Sequence, residues 1–98
     1  NLKLIKIDAK RYPMIKLLDL LKDNHTLYET VVVSANDILV ELFLKKKIKF
    51  TEINIKLLKF IKEKQFFKYR NIYPKNLNDI LNLNKYVRLK VLEKVYKS

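Results

Sequence analysis

Glycine is absent from this 98-residue chain. Phosphate-cradling loops and dinucleotide fingerprints need glycine where backbone N–H groups close around a phosphate, so neither can be written with these residues. Cysteine is absent too, which removes disulfides and thiolate metal sites. The one histidine, His25, sits in the polar turn Asp23-Asn24-His25-Thr26 with no second histidine to complete a ligand pair or a nucleophile–base couple. No apolar run approaches the roughly 18 residues a membrane-crossing helix needs, so no membrane partner is expected. Arginine is scarce, at Arg11, Arg70 and Arg88 only.

Lysine is not scarce. The formal net charge is +12, a balance that raises nucleic acid as a partner. Phosphate forks and base edges, however, favour the rigid bidentate guanidinium over a lysine ammonium. Glycine, alanine, arginine and proline have G- and C-rich codons, whereas lysine, isoleucine and asparagine have A- and T-rich ones. Base composition is the favoured source of the basic balance over selection for a nucleic-acid surface.

The organisation reads as one domain, all-α, a compact bundle of about four helices with short loops. Residues 2–7, LKLIKI, alternate weakly and form a possible short N-terminal strand that has no partner later in the chain. Together with the missing initiator methionine, this makes 1–10 an expected extended lead-in from an upstream domain and 11–98 the helical bundle. Pro13 suits a first helical turn, and Met14, Leu17, Leu18 and Leu21 repeat at helical spacing to about Lys22. The segment from Tyr28 to Val33 reads as a strand or a buried approach. Ser34 is predicted as the N-cap of a second helix, with Asp37 three positions on and Ile38, Leu39, Leu42 and Phe43 as its buried stripe. Glu41 and Lys45 pair at i, i+4, and Lys45-Lys46-Lys47 meet the negative end of the helix dipole.

Thr51 is predicted to open a third helix, ending near Lys64, followed by a connector over 65–75. Asn76 caps a short turn through Leu81, and Asn82 or Asn84 caps a last helix carrying Leu83, Val87, Val91 and Val95.

Two carboxylate pairs, Asp19 with Asp23 and Asp37 with Glu41, could serve acid–base or metal chemistry. Capping, Lys45 and the lysines near the first pair account for them structurally. The stretch Phe66-Phe67-Lys68-Tyr69-Arg70 interleaves aromatics and cations, as a single-strand stacking platform does. It ends the Lys45–Arg70 region, in which basic residues greatly outnumber Glu52 and Glu63. A stand-alone basic module binding nucleic acid through this region is the alternative reading. The favoured one has two or three of these aromatics closing the bundle while the lysines face water.

Three stretches, RYPMIKLL (11–18), VVVSANDILVELFLKKKIKFTEI (31–53) and NLNDILNLNKYVR (76–88), carry a resemblance in their order and spacing. The chain resembles the C-terminal helical domain of 1-deoxy-D-xylulose 5-phosphate reductoisomerases. Tyr12-Pro13 matches that family's aromatic-Pro pair. Ala35, Asn36 and Asp37 match its Ala-Asn-Glu, Phe43-Leu44 its Phe-Leu, and Ile48, Phe50, Glu52 and Ile53 its next steps. Val33 replaces an Asn, Ser34 an Ala, Asp37 a Glu, and the glycine between the first two helices is missing.

The resemblance implies a larger enzyme of non-mevalonate isoprenoid synthesis that uses NADPH and magnesium or manganese. It implies a homodimer, cytoplasmic in a bacterium or plastid in a eukaryote. It also implies that cofactor, metal and substrate residues lie upstream, none of them in this chain, which packs against the catalytic part and braces it. Tyr12, Pro13, Ser34, Asn36, Asp37 and Phe43 are then structural residues, and loss of the Asn36 side chain is expected to weaken a cap.

Overall fold

Leu27, Val31, Ala35, Ile38, Leu39 and Leu42 repeat at helical spacing, and all six are buried. They are the stripe of α1, Leu27–Leu44, the axis of a computed structural model that describes residues 25–97. Tyr12, Pro13, the possible strand at 2–7, the first helix and the Asp19/Asp23 pair lie outside the described residues.

Four elements follow: α2, Phe50–Ile61; α3, Lys64–Phe67; a 3₁₀ helix, Lys68–Asn71; and α4, Leu77–Lys97. Among the described residues there is no strand, and the architecture is an all-α bundle. α2 and α4 each pack along α1, and the 3₁₀ helix packs near its start. Ile48, Phe60, Phe66, Ile80, Leu83, Val87 and Val91 complete the core.

Two expectations are corrected here. The helix expected to open at Ser34 opens at Leu27, so Tyr28–Val33 is helical and Ser34 is no N-cap. The three valines favour strand by propensity, but burial of Val31 with Leu27 and Ala35 on one stripe outweighs it. Thr26 flanks the start without a side-chain cap, and the Ile72 carbonyl accepts the Leu27 N–H at 2.7 Å instead. The second correction joins the expected turn and last helix. Ile80, Leu83, Val87 and Val91 form one unbroken buried stripe, so α4 runs straight through Asn82 and Asn84.

The Asn76 cap is present. Its Oδ1 accepts the Asp79 N–H at 3.1 Å, while Asp79 Oδ2 accepts the Lys75 N–H at 2.8 Å. At the start of α2, one position before Thr51, the Glu52 carboxylate accepts the Lys49 N–H at 2.8 Å.

The end of α1 explains part of the lysine knot. Lys46 N–H donates to the Phe43 carbonyl at 2.9 Å and Lys47 N–H to the Leu42 carbonyl at 2.8 Å. This is the Schellman arrangement, and its left-handed position belongs to Lys46, at φ 62°. Glycine is the residue that normally takes this backbone, and the chain has none to place there.

Candidate functional site

The Ser34-Ala35-Asn36-Asp37 tetrad falls in the middle of α1 and does not converge on a pocket. Ser34 is fully buried and its Oγ has no hydrogen-bond partner. Ala35 is buried beside it, and Asn36 and Asp37 are half-buried on the other side of the helix. Phe43 lies half-buried at the α1–α2 corner, its ring edge-to-face with Phe50 at 5.5 Å.

Glu41 is engaged twice. Its Oε2 accepts from Arg88 Nη2 of α4 at 2.6 Å, and Lys45 stands 3.8 Å from Oε1. The expected Glu41–Lys45 pair is present, and the cross-helix partner Arg88 is the one that spacing alone could not reveal. Neither Asp37 nor Glu41 belongs to a group that could hold a metal ion, and there is no such group among the described residues. His25 is exposed just ahead of α1.

The aromatic–cation stretch largely turns inward. Phe66 is fully buried, with its ring 4.6 Å from Phe60 and 6.3 Å from Tyr86. Phe67 stacks on Tyr28 at 6.3 Å, under the Arg70 guanidinium at 5.7 Å. Tyr28 is pinned in turn, since its hydroxyl donates to the Ile61 carbonyl at 2.7 Å. Tyr69 is half-buried under the Lys68 ammonium. These rings therefore close the end of the bundle, while Lys64, Lys68 and Arg70 face water.

A groove of about 590 Å³ lies where α2 and α4 diverge from α1. Leu39, Phe60, Val91 and Val95 form its apolar lining, and Lys56, Lys59 and Lys94 its rim with Glu63. The one carboxylate on this rim is held by Lys94 and by Gln65 Nε2. Such a groove can accept an apolar group beside an anion, but it presents neither paired carboxylates nor a nucleophile with a base. It was not legible in the sequence because its walls come from helices some thirty residues apart, each reading only as an amphipathic stripe.

Fold and groove together define a small all-α domain with a basic, partly apolar exterior. Residues 1–90 match a family model described as the DXP reductoisomerase C-terminal domain, and the chain belongs to that family. The chain is 48% identical over 91 residues to the 1-deoxy-D-xylulose 5-phosphate reductoisomerase of Pelagibacter ubique (strain HTCC1062), covering 93% of this chain and 24% of that relative. The enzyme of the same name from Campylobacter hominis is 34% identical over 88 residues, 90% of this chain and 23% of the relative. That of Pseudothermotoga lettingae is 32% identical over 93 residues, 95% and 24%. The chain thus spans about a quarter of the length of the curated relatives it matches. No solved structure matches it.

Proposed function

We propose that this bundle is the C-terminal structural domain of an NADPH-dependent reductoisomerase that converts 1-deoxy-D-xylulose 5-phosphate to 2-C-methyl-D-erythritol 4-phosphate. It braces the catalytic part of the same polypeptide and does no chemistry itself. The observation that carries this reading is the match over residues 1–90 to the reductoisomerase C-terminal domain, combined with relatives about four times as long.

The site chemistry supports the division of labour. The described residues contain no donor set for magnesium or manganese, and the chain has no glycine with which to shape a pyrophosphate loop. On this reading NADPH and the metal are held by the upstream part of the polypeptide. Ser34, Asn36 and Asp37 lie along α1 and are not among the residues that line the groove. On this reading the parent enzyme is a homodimer, cytoplasmic in a bacterium or plastid in a eukaryote, and its function calls for neither nucleic acid nor a membrane as partner.

The test compares the full-length polypeptide with this chain in an assay of NADPH oxidation driven by 1-deoxy-D-xylulose 5-phosphate. Turnover by the full-length protein and none by the chain is the expected result. Turnover by the chain alone, or none by the full-length protein with divalent metal supplied, overturns the reading.

A further inference from the structure

α2 is strongly apolar yet poorly buried. Phe50, Ile53, Ile55, Leu57, Leu58, Phe60 and Ile61 lie in its twelve residues, and only Phe60 is fully buried. α1, by contrast, buries eight of its eighteen. Ile55 is 61% exposed and Leu58 46%, and they lie one turn apart on the side of α2 that faces away from α1. Phe50 at the head of the same helix and Leu44 at the end of α1 are each 71% exposed. An outward apolar stripe of this kind on a small domain marks a surface that is covered in the working molecule.

The border of the stripe is basic. Lys46, Lys47, Lys49 and Lys62 are exposed, and none has a carboxylate within ion-pair reach among the described residues. The outer side of α4 has one such aliphatic residue, Leu89; its other large exposed side chains, Tyr86 and Tyr96, carry hydroxyls, and that of Tyr86 donates to Gln65.

We propose that the outward side of α2, with the α1–α2 corner, is the seam on which the remainder of the parent polypeptide docks. The facing surface is apolar at its centre, to cover Leu44, Phe50, Ile55 and Leu58, and edged with carboxylates that meet the lysines. This rests on the reading of the chain as one domain of a longer reductoisomerase. Two observations choose this occupant over others: most of each relative's length lies outside the matched region, and the unpaired lysines call for an acidic partner surface.

The absence of cysteine from this chain supplies the test. Leu58→Cys, Ile55→Cys and, on α4, Leu89→Cys are introduced singly into the full-length polypeptide, Leu89 being 61% exposed. Labelling by a maleimide is followed peptide by peptide. The seam requires Cys at 55 and 58 to label on the order of tenfold more slowly than Cys at 89, because a covered thiol is shielded from reagent. Equal rates at all three positions overturn the proposal. Protection that disappears on dilution also overturns it, assigning the stripe to contact between copies. Turnover of the unmodified full-length protein is assayed separately, so failure of the seam and failure of the reductoisomerase reading give different results.

Discussion

Arg88 on α4 places its Nη2 2.6 Å from Oε2 of Glu41 on α1, 47 positions earlier in the chain. Both side chains are about a third to two-fifths exposed, so solvent screens the attraction. Arg88→Met is expected to lower stability by about 0.5–1 kcal/mol. Urea unfolding of the two proteins measures it, and the difference should shrink as salt is raised. A loss above about 3 kcal/mol would instead mark a desolvated pair.

The orphaned hydroxyl of Ser34 predicts a gain. Ser34→Ala removes a buried polar group that has no partner and adds helix propensity, and it should stabilise the fold by about 1 kcal/mol. Asn36→Ala, in the middle of α1 with no helix end to cap, should stay within about 0.5 kcal/mol of the parent chain. Urea midpoints decide both. A destabilised Ser34→Ala protein would mean that the hydroxyl is bonded in solution.

Lys46 occupies a left-handed backbone position for which its side chain is unsuited. Lys46→Gly is expected to raise stability by about 1 kcal/mol, and Lys46→Asn by less. Thermal unfolding of the three proteins gives the order. Loss of stability on Lys46→Gly would mean that the lysine side chain contributes more than its backbone costs.

Phe66 and Phe67 are neighbours with opposite fates, one fully buried and one 39% exposed. Phe66→Ala should lower stability by about 3–5 kcal/mol, and Phe67→Ala by distinctly less. Equal losses in a denaturant series would contradict the anchoring of α3 through Phe66.

Much of this was readable from residues. The spacing of Leu83, Val87 and Val91 located the body of α4, Asn76 is the cap it was expected to be although of α4 itself and not of a separate short turn, and α2 begins one residue from the expected Thr51. The errors share a cause: local chemistry was followed where packing decides. Ser34 and Asp37 have cap chemistry, and the valines before them have strand propensity. Yet α1 is packed on by α2 and α4, so its small buried residues are helix–helix contacts instead of a boundary. Asn82 and Asn84 likewise have cap chemistry inside an uninterrupted stripe. The Schellman turn at Lys46 could not be read because its usual sign, a glycine, is missing. The cross-helix Glu41–Arg88 pair and the α2/α4 groove exist only once the helices are assembled.

The packing of α2 and α4 along α1, with a groove where they diverge, makes α1 the spine of a book with two covers, latched at one end by Glu63 with Lys94 and by Phe66 against Phe60 and Tyr86. A disturbance that lifts α2 leaves the α1–α4 pair intact, whereas one that melts α1 removes the support of both. The last amides to exchange should therefore be those of α1, while α2 is the leaf free to follow whatever lies against it.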